Sequence, residues 1–265
     1  MTPAVPHGQR WRDRDSAFVK PMHLFNPSAF DVEPIGLDRI AKGFVTQHHY
    51  SGTYPAARFR FGLYRRGELV GVAVFSHPCR DDVLTNVFPG TATDSVELGR
   101  FVLLDEVGFN GETWFLARAF ELLRAEGLRG VVSFSDPMPR DRADGTVVFA
   151  GHMGTIYQAF NGVFLGQATR RTIRLLPNGT TFSARAAQKI RSHDRGWEYS
   201  IAQLVKAGAP PLEDGEETRE WLRTWLPRIT RTRQHPGNLK YAWALNKQTR
   251  RGLPMSKPYP KRAAA

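Results

Sequence analysis

Residues 96–104 read Val-Glu-Leu-Gly-Arg-Phe-Val-Leu-Leu, 105–113 Asp-Glu-Val-Gly-Phe-Asn-Gly-Glu-Thr, 114–126 Trp-Phe-Leu-Ala-Arg-Ala-Phe-Glu-Leu-Leu-Arg-Ala-Glu, and 130–135 Gly-Val-Val-Ser-Phe-Ser. The first run predicts a strand, the third an amphipathic helix with Phe115, Ala119, Leu122 and Leu123 on one stripe, and the last a buried strand. A strand, a crossover helix and a second strand predict a parallel pair inside a mixed α/β sheet. Upstream, Gly36 to Thr46 reads as a helix with Leu37, Ile40, Ala41 and Phe44 apolar, and His48 to Gly52 as a loop. Phe59 to Tyr64 and Glu68 to His77 read as strands around an Arg65-Arg66-Gly67 turn. Downstream, Gly154 to Phe160 reads as a short helix and Val163 to Leu176 as one strand. Three tail helices are expected over Ser183 to Arg191, Ser200 to Ala207 and Glu216 to Leu226. Gly208 to Asp214 reads as a linker, and Asn238 to Leu245 as a closing strand carrying Tyr241 and Trp243. The division expected is a loosely ordered arm over 1–30, a core over 31–176, and a basic helical extension over 177–265 partly packed on the core. Many α/β domains share this alternation, so it does not name the fold.

The chain has 265 residues and a net charge of +12. Residues 170–265 carry 20 Lys and Arg against 7 Asp and Glu, and residues 1–169 carry 17 against 18. Positive charge gathered in the last third points to a polyanionic partner, and nucleic acid is the commonest one. A solvated tail with no specific partner is the alternative. Cys79 is the one cysteine, which excludes an internal disulfide and a multi-cysteine zinc site. No run is long enough to span a bilayer, and the first residues lack the apolar segment of a signal peptide, so a cytoplasmic location without membrane contact is expected.

Four stretches could carry chemistry. The turn 105–113 runs from a strand into a helix N-terminus, where backbone N–H groups receive anions; it could equally be a loop capped by Asn110 or Thr113. Asp136 ends an apolar strand in Ser133-Phe134-Ser135-Asp136-Pro137, as a base, a metal ligand or a plain Asp-Pro turn. His48-His49-Tyr50 could bind a metal or shuttle protons, or could lie on the surface. Tyr157, on the short helix, could protonate a leaving group or pack in the core.

Taken in chain order, His49-Tyr50-Ser51-Gly52, Leu98-Gly99-Arg100-Phe101, Asn110 to Leu116, Ser133 to Pro137 and Gly154 to Asn161 resemble the Mom family of phage adenine-modification proteins, a divergent branch of the GNAT superfamily. The likeness covers roughly residues 36–175, with a looser echo at Pro236 to Tyr241. It implies a GNAT-like mixed β-sheet flanked by helices and split by a V-shaped opening that receives acetyl-CoA or a related acyl donor. The donor would lie along the splayed strand at Arg100, Phe101 and Val102, with its pyrophosphate at Asn110, Gly111, Glu112 and Thr113. This chain lacks the usual GNAT pyrophosphate signature. The resemblance implies catalytic roles for Tyr50, Asp136, Tyr157 and Ser133, and iron held by His49, Tyr50, Asp136 and Tyr157; acid–base work without metal is the alternative.

The implied reaction converts the exocyclic amine of adenine in double-stranded DNA to a carbamoylmethyl-type adduct that shields phage DNA from restriction. An adenine inside a duplex must leave the stack to be reached. Arg170, Arg171, Arg174, Arg231, Arg233 and Lys240 are the expected phosphate contacts. Trp197, Trp221, Trp225, Tyr241 and Trp243 could stack on bases or fill a core. A homodimer is left open. Two other readings stand beside this one: an N-acyltransferase for RNA, protein or a small amine, and a non-catalytic DNA-binding protein that blocks restriction.

Overall fold

The computed structural model describes residues 25–261 and the backbone of two short strands before them. In chain order the elements are β1 (Gly8–Arg12), β2 (Asp15–Val19), β3 (Phe30–Pro34), α1 (Asp38–His48), β4 (Ala57–Arg65), β5 (Glu68–Ser76), α2 (Asp82–Thr85), β6 (Ser95–Leu103), α3 (Gly111–Ala125), β7 (Gly130–Ser135), β8 (Arg140–Asp141), β9 (Val147–Phe149), α4 (Thr155–Ala159), β10 (Val163–Gln167), β11 (Arg171–Leu175), β12 (Thr181–Phe182), α5 (Ala184–Ser192), α6 (Trp197–Lys206), α7 (Thr218–Ile229), β13 (Arg231–His235), β14 (Leu239–Ala244) and α8 (Lys247–Arg251). They form two units: 1–136 with 152–168 and 238–265, and 137–151 with 169–237.

The first unit holds a seven-stranded sheet in the order β10-β14-β7-β6-β5-β4-β3. β3 to β6 run antiparallel, β6 and β7 pair in parallel, and β14 and β10 return antiparallel. This is the mixed sheet flanked by helices that the sequence predicts. The β4–β5 turn is Arg66-Gly67, both at positive φ (51° and 84°), the two-residue geometry that matches strand twist. α3 buries Phe115, Leu116, Ala119, Phe120 and Leu123 in the main core, and each of the larger side chains contributes about 1.5–3 kcal/mol by leaving water. The stripe on α1 differs from expectation. Its buried residues are Ala41 and Val45, whereas Leu37 and Ile40 are among the exposed large apolar side chains.

The second unit has its own core, built by α5, α6 and α7 from Ala187, Ile190, Ile201, Leu204, Trp221, Leu222 and Leu226 with Leu176 and Phe182. It also holds the sheet β12-β11-β13 and the hairpin β8-β9.

Three sequence expectations are corrected. The arm over 1–30 includes an antiparallel hairpin, β1 with β2, and β3 begins at Phe30; the rest of residues 1–24 lies outside the described residues. The single strand expected over 163–176 is two strands in different sheets. β10 ends just beyond Gly166, which holds φ at 101° beside a register shift against β14, a conformation that suits glycine. Finally, residues 177–265 are not an extension. Residues 169–237 are inserted between β10 and β14, and β14 lies inside the sheet between β10 and β7. Composition changes at the insertion but does not show where the chain returns.

Candidate functional site

The site begins where two parallel strands part. β6 and β7 pair over Ser95–Leu98 and Gly130–Ser133. β6 then runs on to Leu103 with β5 as its pairing partner among the described residues. Ser133 Oγ donates to the Leu98 carbonyl at 2.9 Å, at the last paired position. The register between β5 and β6 shifts so that Val74 faces Arg100 while Phe75 faces Leu98, leaving Gly99 as the extra residue. Such a bulge reverses the alternation of faces. Before it Val96 and Leu98 enter the core; after it Phe101 and Leu103 do. Glu97 and Arg100 thereby share the other face. A Cβ on Gly99 would stand 2.9 Å from Ser76 Oγ and 3.3 Å from Pro55 Cγ, so a larger residue here would push on the loop above. Phe101, expected along the donor, turns its ring to Phe115 at 5.5 Å between centroids, so only its backbone is available to the opening.

His49 caps α1, its N–H bonded to the Val45 carbonyl at 2.9 Å, and adopts extended angles that end the helix. Its ring is buried and stacks on Tyr50 at 4.4 Å. His48 instead packs on Phe44 one turn earlier, at 4.8 Å. His49, then, is the histidine at the site. Its Nδ1 accepts the Ser51 N–H at 3.2 Å and lies 2.9 Å from Ser51 Oγ. An accepting Nδ1 places the proton of the neutral ring on Nε2. Arg100 fastens this loop to β6: Nε donates to the Thr53 carbonyl at 2.8 Å, Nη2 to Thr53 Oγ1 at 2.6 Å, and Nη1 to the Gly99 carbonyl.

Tyr157 comes from α4 and is buried. Its ring meets Tyr241 at 5.5 Å, Trp243 at 5.4 Å and His152 at 5.9 Å. The Ser133 hydroxyl acts on its phenol and favours the ionised form, against burial, which favours the neutral one. α4 can lie so close to β14 because Gly154, at φ 71°, has no Cβ; one built there would stand 2.6 Å from the Tyr241 ring. Trp243 Nε1 donates to the Phe160 carbonyl at 2.9 Å, and Tyr241 donates to the Met153 carbonyl. Both aromatics are core residues rather than base-stacking ones.

Arg100 is the electrostatic centre of this set. Burial, then the charges of Arg100 and His152, hold His49 well below the ordinary imidazole value. Burial raises Glu97, against the pull of Arg100. Burial also raises Tyr157. At neutral pH the set therefore presents a neutral imidazole, a neutral phenol and one guanidinium. It can give a proton and stabilise a developing negative charge. Sequence reading missed His152 and Glu97. His152 Nδ1 accepts the Gly154 N–H at 3.2 Å, the same two-residue device as in His49-Tyr50-Ser51, and that spacing was the available signal.

Asp136 is half-buried at the end of β7, and its carbonyl accepts the His152 N–H at 2.7 Å. In the set His49, Tyr50, Asp136 and Tyr157, imidazole, carboxylate and phenol are donor types that iron accepts. Among the described residues no group of three or more His, Cys, Asp or Glu stands together as a metal site.

At the α3 N-terminus Asn110 is left-handed at φ 72° and makes no side-chain cap bond. Thr113 Oγ1 turns back to the Asn110 carbonyl at 3.1 Å, so neither supplies the predicted cap. A cleft of about 430 Å³ opens there, lined by Phe25, Pro27, Phe109, Asn110, Thr113, Trp114 and Phe160. Glu112 sits in the same first turn, where its carboxylate would oppose a bound anion.

The expected phosphate contacts are spread over both units. Lys240 lies on β14, opposite Phe134 and Gly166. In the second unit Arg170 and Arg171 are exposed, and Arg174 Nη1 donates to Thr230 Oγ1 at 3.3 Å. Arg231 is held internally, donating to the Asp141 carbonyl at 2.8 Å, to its carboxylate at 3.2 Å and to the Arg142 carbonyl at 3.2 Å. Arg233 also reaches the Asp141 carboxylate, at 3.6 Å. These partners, the Arg231 hydrogen bond first, hold Asp141 below the usual carboxylate range.

No helix among the described residues is long and apolar enough to cross a membrane. No curated protein matches the chain. Among solved structures it is similar to a tandem GNAT protein from the clavulanic acid biosynthesis pathway, at 8% identity and TM-score 0.43 over 82% of this chain and 99% of that one. It is similar also to spermidine N-acetyltransferase from Vibrio cholerae, at 10% identity and TM-score 0.37 over 84% and 98%. A third is the PaiA N-acetyltransferase of Thermoplasma acidophilum in complex with coenzyme A, at 14% identity and TM-score 0.28 over 42% of this chain and 53%, about half, of that one. Likenesses this distant decide nothing here; the fold rests on the strand order and the parting of β6 from β7. The family comparison is of another kind: residues 29–261 match the model of the Mom protein family, and the chain belongs to that family.

Proposed function

We propose that this protein modifies the exocyclic amine of adenine in double-stranded DNA, using a coenzyme A type donor and leaving a carbamoylmethyl-type adduct that protects the DNA from restriction. The observation that carries the reading is the fork between β6 and β7, which gathers His49, Arg100, Ser133 and Tyr157 in a chain of the Mom family. Attack of the amine on the donor's thioester carbonyl would form a nitrogen–carbon bond as the carbon–sulfur bond breaks and the thiolate departs. That step alone leaves an acyl-adenine. The carbamoylmethyl product needs, in addition, a methylene joined to the amine and a carboxamide nitrogen from a second co-reactant, an amine or ammonia. Backbone groups of β6 beyond Leu98 would hold the donor's arm, and the backbone N–H groups of the α3 N-terminus its pyrophosphate, against the opposing charge of Glu112.

The amine of adenine is a weak nucleophile because its lone pair is shared with the ring. The protein must therefore stabilise charge on the group being attacked and help the leaving group depart. Arg100 supplies the positive charge in a partly dry setting, where it acts more strongly than in water. The Nε2–H of His49 is a second donor. Tyr157 is the proton source for the departing sulfur: burial keeps its proton on at neutral pH, while Ser133 beside it favours the ionised form and so eases the proton's release. The target base would have to leave the helix, and the basic second unit would hold the duplex.

The test is mass spectrometry of nucleosides from plasmid DNA of cells expressing the protein, beside a Tyr157→Phe control. A heavier deoxyadenosine seen only with the unaltered chain is the expected result, and its mass separates a carbamoylmethyl from an acetyl group. Unmodified DNA from well-expressed, folded protein would overturn the reading.

A further inference from the structure

β11 and β13 pair over their whole length, with Arg171 opposite His235, Thr172 opposite Gln234, Ile173 opposite Arg233, Arg174 opposite Thr232 and Leu175 opposite Arg231. Alternation divides this ribbon into two faces. One carries Leu175 and His235, both buried, together with Arg231 and Arg233, which reach Asp141. The other carries Thr172, Thr232 and Gln234, all exposed, and the half-buried Arg174. The two strands hold four arginines and no carboxylate.

On the outward face the amide of Gln234 is oriented. Its Nε2 donates to Thr172 Oγ1 across the ribbon at 3.0 Å. That bond uses one of the two amide N–H groups. It leaves the amide oxygen and the second N–H for other partners. A glutamine presented so matches adenine, whose major-groove edge offers one donor and one acceptor, and a two-stranded ribbon is narrow enough to enter that groove. Hydroxyls from Thr172 and Thr232 beside it accept or donate to neighbouring bases.

We infer that the outward face of β11–β13 reads base edges in the major groove of duplex DNA, with Gln234 contacting an adenine and Thr172 holding the amide in register. The inference rests on the proposed duplex substrate and adds the element that chooses the sequence. The arginines of the ribbon would then supply positive potential rather than sequence information.

The test uses the full-length protein. Preferred duplexes are selected from a randomised pool, and affinities are then measured by fluorescence anisotropy at several salt concentrations, for the preferred site and for duplexes changed at single base pairs. Gln234→Ala is expected to remove the preference at one A·T position. It should lower affinity for the preferred site by about 5- to 150-fold while leaving binding to the other duplexes and the salt slope unchanged. Thr172→Val should give a smaller loss at the same position. The inference is overturned if Gln234→Ala keeps the wild-type preference, or weakens every duplex alike. Wild-type binding without preference would sink the base reading alone, whereas no binding to any duplex would sink the substrate reading with it. Gln234 is exposed, so loss of folding does not confuse the result.

Discussion

The fork in the first unit and the ribbon with its helices in the second handle charge in opposite ways. At the fork there are few ionisable groups, they are largely buried, and each shifts its neighbours: Arg100 acts on His49, Glu97 and Tyr157 together. In the second unit cations are numerous and mostly exposed, and the clearest internal tie is that of Arg231 and Arg233 to Asp141. The contrast teaches that charge count and chemical weight are separate properties. A single desolvated guanidinium can govern a site, while a dozen solvated ones set affinity and its response to salt.

The sharpest way to break this contrast is at Tyr157. Tyr157→Phe removes one buried hydroxyl and keeps the ring packing on Tyr241 and Trp243. DNA modification should fall by roughly 10²- to 10⁴-fold with thermal stability nearly unchanged, as measured by nucleoside yield beside calorimetry. An active, fully folded Phe variant would make the fork a structural feature only. Next in size, Trp221→Ala in the second core should destabilise the protein by about 3–5 kcal/mol, read from urea unfolding. If the fork is independent of that core, modification of short single-stranded substrates should survive better than duplex binding.

A third effect is the pH response of the fork. His49 is held below its unfolded value of about 6.5 by burial first. The unfolded chain therefore takes up this proton before the folded one does. The stability it represents is intact above that pH and is lost as the pH falls below it. Urea midpoints at pH 7.5 and 5.5 should differ, and His49→Gln should narrow the gap. An unchanged gap would mean that another group carries it. The smallest effect belongs to the second unit. Asp141→Asn frees Arg231 and Arg233, so non-specific duplex affinity should rise a few-fold and the salt slope should steepen by about one. A drop in affinity would show that those arginines act by bracing the hairpin rather than by meeting phosphates.

Much of the first unit was legible because its periods are strong. The strand over 96–104, the helix from Trp114 and the strand at Gly130 announced a parallel pair, and the closing strand with Tyr241 and Trp243 was visible from its aromatics. The bulge at Gly99 was not, because one extra residue in a strand looks like ordinary sequence until its partner is known. With it went the placement of Glu97 and Arg100 on one face. The spacing of His152 to Gly154 repeats that of His49 to Ser51, but it gains meaning only once the turn is seen. In the second unit the three helices were readable, but the fate of each arginine was not. Whether Arg231 meets a phosphate or Asp141 depends on a hairpin about ninety residues away in the chain.

The position of β14 has a consequence for how the molecule is made. The ends of the insertion are neighbours: Gln167 pairs with Leu239, and the Ala168 N–H bonds to the Asn238 carbonyl at 2.8 Å. A nascent chain that has released β3 to β10 still has an open gap beside β7, and the whole second unit must be synthesised before β14 can fill it. Until then Tyr157 has neither Tyr241 nor Trp243 to rest against. At roughly 5–20 residues per second, the inserted unit takes several seconds to make, and the sheet stays open throughout. The second unit, with a core drawn from consecutive helices, can fold in that interval. Its two adjoining ends would then bring the last strand back to the gap it must fill.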